Sequence, residues 1–540
     1  MKDKLILTID FGTQSVRSII FSSKGETLAI EKESYDQPYF SKGPGLCEQH
    51  PSYYFDKLCL TTKRIVENNK DLIDDVVAVS MTCFRDTACI LDKDYNVIRP
   101  SILWLDQRKA QCKEKFDIIR RLLFFISGMK ETVVMNRQRT VANWLKEEEK
   151  ENFEKTCHYW NISTYFNYLL TGEEKDVPSN YTGHYPIDMK KRKWMSKHSL
   201  KYPIFGIDTS LLPTLVEPEE MIGHITKKAS ELTGLKEGLP FFAAGADKSC
   251  ESLGVGALHN DMASISYGTA SSIQVTNKKY IEPETFLPSY PSPIKNLYNM
   301  EVQVYRGYWM LTWFIENFAS DIKTEAFIEK NSAEELLNKE LLKIPAGSNG
   351  LILQPYWGPG LKRPLAKGVI VGFSDYHTKI HLYKSIIEGI AYALREGLEG
   401  IEKKQHKKIK EIRLSGGGSK SSAICQITSD IFGVKVSRIQ TFETASLGAA
   451  ILAYVSLGYY KNYDEAIENM VRISSSFTPN KENVKISETV TYTNNNGCLV
   501  IDLLDNGDLE LGNDSGEYMV INKSCIPFLL NYLYTLDTTK

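Results

Sequence analysis

The chain has 540 residues, 42% hydrophobic and 24% charged, with 65 Lys plus Arg against 67 Asp plus Glu for a net charge of −2. At roughly 100–200 residues per domain this length predicts two to four domains, and the composition excludes a wholly disordered chain. There is no basic excess to suit a nucleic-acid backbone or an anionic membrane, no apolar run near the roughly 20 residues of a membrane span, and no signal-peptide core before Asp10. Ten cysteines lie scattered without CxxC or CxxH spacing, which predicts reduced thiols and a cytoplasmic protein rather than a disulfide or zinc framework.

In chain order, Leu5–Ile9 and Ser18–Phe21 are β-rich runs around a Gly-Thr turn, and Ser23-Lys24-Gly25 leads to a third strand. This is an antiparallel meander rather than a strand-to-helix phosphate loop. A helix is predicted over Pro51–Asn68, a strand over Val76–Ser80, a hairpin in CILDKDYNVI, and helices over 141–156 and 160–171. The stretch 216–227 reads as a connection, and Leu239–Ala246 as a buried strand ending at Asp247. ASISYGTASSIQVT (263–276) repeats the opening device of strand, Gly-Thr turn and strand. A long amphipathic helix follows over 379–404. Then come a strand, three glycines and a helix within 412–433, a strand in KVSRI, and a helix over Thr444–Leu457. In the tail, Asn506-Gly507 between two β-like runs signals a hairpin, and 485–540 reads as an appendage. Two Gly-Thr hairpins half a chain apart, each opening an αβ segment, predict two lobes of one plan facing a cleft.

The glycine turns have the composition that a polyphosphate requires. Glycine lets backbone N–H groups approach the phosphate oxygens, and Ser/Thr hydroxyls add donors. Gly12-Thr13-Gln14-Ser15 and Gly268-Thr269-Ala270-Ser271 share this character, and Gly416-Gly417-Gly418-Ser419 opens a helix whose N-terminus favours anions. Asp10, entering the first turn, suits Mg²⁺ held through water, since Mg²⁺ uses few carboxylates. Asp247, after an uncharged strand, is placed to take a proton from a substrate hydroxyl, with metal contact as a further role; it also suits a helix N-cap.

These motifs resemble the FGGY carbohydrate kinases, the family of glycerol kinase, xylulokinase and ribulokinase. The resemblance rests on DFGTQSVRSIIF, ILWLDQR (102–108), LLTG…DVPSN…D (169–188), GADKSCESLGVGAL, SYGTAS, the stretch 368–399, GGGSKSSAICQITSDIFG and ETASLGAA, and covers residues 4–475. It implies an α/β fold with two ribonuclease-H-like lobes of the actin-like ATPase type around a central cleft. The first lobe (1–243) would bind sugar or polyol and the second (244–475) ATP, with the small β-containing appendage (485–540) beyond them. It further implies ATP and Mg²⁺ as cofactors and Asp247 as catalytic base. Gly12, Thr13, Gln14, Ser15, Arg17, Gly268, Thr269, Gly416, Gly417, Gly418 and Ser421 fall in the nucleotide-binding stretches. Arg85, Asp86, Trp104, Asp106, Asp247 and Lys248 line the substrate side. An Arg fork beside a carboxylate can grip vicinal hydroxyls, and the Arg85-Asp86 pair is similar to that of glycerol kinases. Lys248 stands where those enzymes carry Gln, which keeps a ketopentose substrate open beside a glycerol-like one. The alternatives are an actin-like ATP-binding switch and a sugar sensor without efficient transfer. A homo-oligomer, with a dimer favoured, is the assembly the family implies.

Overall fold

Leu5–Phe11 and Ser15–Phe21 form the expected N-terminal hairpin, in register from Ile6↔Phe21 to Phe11↔Val16, and Thr27–Ser34 adds the third antiparallel strand. Every residue of Leu5–Phe11 is buried, as expected of a central strand covered on both faces. On its other side it runs parallel to Val76–Cys83, which in turn runs parallel to Pro240–Ala246. The helix Pro51–Asn68 has Pro in its first turn and buries Tyr54, Leu58, Thr61 and Ile65 at helical spacing. It lies against the hairpin, where the Ser18 hydroxyl donates to Thr61 Oγ1 at 2.9 Å.

This computed structural model describes residues 4–113, 115–284, 287–357 and 366–487, and three strands beyond them. They fall into two units: Met1–Asn260 with Val275–Met300 and Ile439–Ile473, and Asp261–Gln274 with Glu301–Arg438 and Ser474–Lys540. The second unit repeats the plan of the first. Met262–Tyr267 and Ser271–Asn277 pair antiparallel, Met262–Tyr267 runs parallel to Glu411–Ser415, and that strand runs parallel to Lys435–Ile439. The long helix Lys379–Gln405 begins with a capping box at Thr378 and His381.

These units depart from the division at 243/244 read from the sequence. The reason is packing in the first unit between the helices Asp247–Gly254 and Thr444–Ser456. A Cβ on Gly254 would overlap the Thr444 carbonyl, and one on Gly448 would overlap the Cys250 carbonyl. Backbones that close make one body, so Ile439–Ile473 belongs with the N-terminal sheet.

Smaller differences concern single elements. The helical stretch 141–156 is two helices, Val141–Glu148 and Lys150–Lys155, and 160–171 opens as the strand His158–Asn161 before the helix Ile162–Thr171. Within 216–227 the pair Gly223–His224 extends the first sheet along Pro240–Ala246. In the tail, Val500–Leu503 pairs antiparallel with Leu509–Gly512, as a hairpin requires, and Tyr518–Ile521 adds a third strand; the Asn506-Gly507 turn lies outside the described residues. Among the described residues no helix is long and apolar enough to cross a membrane.

Candidate active site

Asp247 is the first residue of its helix and follows the buried strand Pro240–Ala246. The chain gets there through Gly245, at φ +129°, where the pairing with Val76–Cys83 slips by one residue. An L side chain is strained at that φ, and a Cβ would also press on Ser179 Oγ. The Gly245 carbonyl accepts from Thr82 Oγ1 at 2.9 Å, which ties the bulge to the neighbouring strand. Asp247 is half-buried, and its Oδ1 accepts the Lys248 N–H at 2.7 Å. Burial pushes its pKa up; the Lys248 and Arg85 charges oppose that, and Glu251 adds to it.

Asp10 is the penultimate residue of the first strand, within electrostatic reach of Asp247. Its carboxyl is pushed up to about 7, first by burial, against the Arg17 charge and with help from Asp247, Glu443 and Glu251. Arg17 bridges Asp10 and Glu443, at 3.3 Å from each. Asp10 Oδ1 is buried and has no hydrogen-bond partner among the described residues. In the turn that follows, Gly12 N–H donates to the Ser15 carbonyl at 2.9 Å, and the Trp104 indole N–H donates to Thr13 Oγ1 at 3.2 Å. Gln14 is exposed and Ser15 buried. Lys248 pairs with Glu251 at 3.2 Å on the helix face beside Asp247.

Arg85 and Asp86 leave the strand Val76–Cys83 toward the same region. The Arg85 guanidinium lies 4.8 Å from the Tyr290 ring centroid. Asp86 has φ 63°, unusual for a residue with a side chain. The cost of about 1–2 kcal/mol is offset by two hydrogen bonds: Thr182 Oγ1 donates to Oδ1 at 2.9 Å, and His184 Nδ1 lies 2.5 Å from Oδ2. Burial raises the Asp86 pKa, but the His184 charge and these bonds outweigh it, so the carboxyl sits below its usual value. His184 is shifted up correspondingly: burial and Arg139 oppose protonation, and Asp86 prevails.

The segment that presents Thr182 and His184 is anchored on Asp176. This buried carboxylate accepts from Ser163 Oγ and Thr164 Oγ1 at 2.7 Å, Asn180 Nδ2 at 2.6 Å, the Val177 N–H at 2.8 Å, Tyr181 OH at 3.1 Å and Asn167 Nδ2 at 3.4 Å. A buried charge persists only where donors surround it. The motif DVPSN thus builds a rigid support beneath the Asp86 contacts.

One sequence expectation needs correction. Asp106 does not join this group: its carboxylate accepts both Arg108 Nε and Nη2, at 2.7 and 2.8 Å, and the Cys47 N–H, with its side chain 2% exposed. Arg108 continues to Glu48, which also pairs with Arg99. Asp106 is therefore part of a buried ion-pair chain and has no free face for a sugar.

In the second unit, Gly268 and Thr269 form the hairpin turn, and the Gly268 carbonyl accepts Tyr308 N–H at 2.9 Å. Gly416 has φ 76°, and its α-carbon lies against the Tyr267 backbone; a Cβ on Gly418 would overlap the Tyr308 ring and the Tyr267 β-carbon. Nothing lies within 4 Å of where a Gly417 Cβ would point. Ser421 caps the helix Ser422–Phe432 by accepting from Ile424 N–H. Arg438, which the motifs did not single out, donates to the Ser419 and Lys420 carbonyls at 3.0 and 2.9 Å and fixes this loop.

Residues 5–254 match the profile of the FGGY family of carbohydrate kinases, N-terminal domain, and residues 263–457 that of its C-terminal domain. The sugar kinase YgcE of Escherichia coli (strain K12) is 27% identical over 90% of this chain and 91% of its own length. The xylulose kinase of Bacillus subtilis (strain 168) is 26% identical over 90% of this chain and 95% of its own. The crystal structure of gluconate kinase from Lactobacillus acidophilus shares the fold, with a TM-score of 0.76 at 21% identity over 91% of this chain and 96% of that one.

Proposed function

From the premise that this chain belongs to the FGGY family of carbohydrate kinases, with their two-lobe actin-like ATPase fold, we propose how its residues divide the work. The enzyme is an ATP-dependent kinase that phosphorylates a hydroxyl of a small sugar or polyol. Asp247 is the general base. The observation that carries this role is a half-buried carboxylate at the start of a helix, with a raised pKa and Arg85 in electrostatic reach. A more basic carboxylate accepts a hydroxyl proton more readily near neutral pH. As that proton passes to Asp247, the sugar oxygen bonds to the γ-phosphorus and the bond to the ADP oxygen breaks.

Arg85, Asp86, Trp104 and Lys248 hold the sugar beside Asp247. The turns at Gly12–Ser15 with Arg17, at Gly268–Thr269 and at Gly416–Gly418 with Ser421 hold the phosphates. Relatives are named for xylulose and gluconate, so ketose and aldonate acceptors both fall within this reading.

Magnesium fits the residues present. Asp10 offers one buried oxygen with no partner among the described residues, and Mg²⁺ uses one or two carboxylates, phosphate oxygens and water rather than a full protein cage. When bound, the ion would neutralise charge on the phosphates. Asp10 and, in part, Asp247 would hold it, while Arg17 keeps Asp10 in place.

Replacing Arg85 with Ala is expected to raise the sugar KM at least tenfold and to leave the ATP KM within twofold, in a coupled ADP-release assay. An equal rise in both constants would make Arg85 a structural residue. A homodimer in the cytoplasm completes the reading. The Ile118–Ile126 helix leaves Ile118, Ile119, Phe125 and Ile126 exposed, and none of the eight described cysteines is in a disulfide. Light scattering that returns the mass of a single chain would remove the dimer.

A further inference from the structure

We propose that Tyr290 is a positioning residue for the acceptor: its ring sets where the Arg85 guanidinium stands, and a turn clamped by Arg192 holds that ring in place. This rests on Arg85 holding the sugar, as proposed above.

The family motifs pass over this tyrosine. It opens the two-residue strand Tyr290–Pro291, which pairs antiparallel with Tyr298 and Asn299. The turn between them closes on itself: the Ser292 N–H donates to the Leu297 carbonyl at 3.0 Å, and the Leu297 N–H to the Ile294 carbonyl at 3.2 Å. Arg192 pins that turn. Its side chain is 4% exposed, and it donates to the Leu297 and Ser292 carbonyls at 3.1 and 3.2 Å while Nε meets Glu217 at 2.9 Å. A buried guanidinium persists only where its donors are used in this way. Beside it the Tyr298 hydroxyl donates to the Lys190 carbonyl at 2.6 Å. The strand also lies against the turn Pro178–Asn180, which the Asn180 amide ties to Asp176 at 2.6 Å. Tyr290 itself packs on the core that holds Tyr181 and Tyr185. The ring is thus fixed from two directions, by Arg192 and by the DVPSN support.

Arg85 needs such a support. It stands two residues beyond the end of the strand Val76–Cys83, on a long side chain with many rotamers. Four acids lie in this region. Glu251 pairs with Lys248, Asp10 pairs with Arg17, and Asp86 is engaged by Thr182 and His184. Asp247 is the acid that would draw Arg85 away, and an arginine collapsed onto it would spend its donors on the base. The Tyr290 ring, 4.8 Å from the guanidinium carbon, offers a competing attraction. An aromatic ring holds a guanidinium without consuming hydrogen-bond donors, whereas a carboxylate consumes them. The planar fork is then placed for hydroxyls before the acceptor arrives, which removes an ordering cost from binding. The effect therefore belongs to the acceptor KM rather than to the transfer step.

The test is a double-mutant cycle in steady-state kinetics, with Mg-ATP and with xylulose, gluconate and glycerol as acceptors. Tyr290→Leu removes the ring and keeps an apolar side chain against the core. It is expected to raise the KM of the acceptor that turns over about fivefold or more, with kcat within threefold and the ATP KM within twofold. Tyr290→Phe keeps the ring and is expected to stay within twofold of the wild type in all three constants. In the Arg85→Ala background, Tyr290→Leu is expected to change the acceptor KM by less than twofold, because its effect runs through Arg85. Should Tyr290→Leu not fold, Tyr290→Met removes the ring at a similar length and reads the same constants. If the two single effects multiply in full in the double variant, Tyr290 is a packing residue and the proposal is overturned. An acceptor KM that Arg85→Ala raises and Tyr290→Leu leaves within twofold also overturns it, while the sugar reading stands. If Arg85→Ala itself leaves the acceptor KM unmoved, the sugar reading falls, and this inference with it.

Discussion

Asp247→Asn is expected to fold normally and to lose about a thousandfold in kcat. Asn keeps the shape of the side chain and can still accept the Lys248 N–H, but it cannot take up a proton. General-base catalysis contributes roughly 10²–10⁴ in rate, or about 3–5 kcal/mol of barrier. Stability should move the other way. The carboxylate is half-buried near Asp10 and Glu251, and desolvation is the largest influence on its pKa. Neutralising it removes a desolvation cost, so the melting temperature is expected to stay level or rise. Steady-state kinetics with saturating ATP and a melting curve check both halves. Turnover within tenfold of the wild type would take Asp247 out of the chemistry.

The second large effect concerns packing. Gly448→Ala is expected to destabilise the chain by roughly 3 kcal/mol and lower the melting temperature by about 3–5 °C. Two opposing terms decide the sign. Alanine in a helix interior gains about 1 kcal/mol over glycine, but at Gly448 the new methyl overlaps the Cys250 carbonyl, and backbone yields far less than a flexible side chain. Gly400→Ala is the internal control: it lies in the helix Lys379–Gln405 with nothing within 4 Å of the added carbon. There only the propensity term acts, and the variant should gain about 0.5–1 kcal/mol. Equal shifts at the two positions would show that the helix contact is looser than described.

The sequence was informative wherever the cause was local. The Gly-Thr hairpins, the apolar strand ending at Asp247 and the helices at Pro51, Lys379 and Thr444 all lie where periodicity and turn chemistry put them, because each depends on neighbouring residues. What it concealed depends on partners distant in the chain. His184 meets Asp86 across 98 positions, and nothing in a short loop motif marks a histidine for that contact. Asp106 sits in a motif shared with sugar-binding enzymes, yet its carboxylate is consumed by Arg108 two residues on and by Cys47. Gly245 looks like one small residue in an apolar strand; its positive φ becomes visible only once the strand is paired and the register slips. Arg438 could be read only as a charge at the end of a strand until the loop it fixes lay beside it.

The order in which the chain is made bears on the first unit. The helix that closes against Gly254 begins at Thr444, so a growing polypeptide that has reached Asn260 holds the sheet and the base but not the piece that covers them. At about 5–20 residues per second, the roughly 190 intervening residues take about 10–40 s to emerge from the ribosome. Through that interval the Asp247 helix has no partner for its glycine face, and the small side chains that later allow such close approach leave only a narrow apolar strip uncovered. Tyr454 then closes the unit, its hydroxyl lying 2.8 and 2.9 Å from the carbonyl oxygens of Lys4 and Phe21, which share its one proton: the start of the chain is fastened by a residue made more than four hundred positions later.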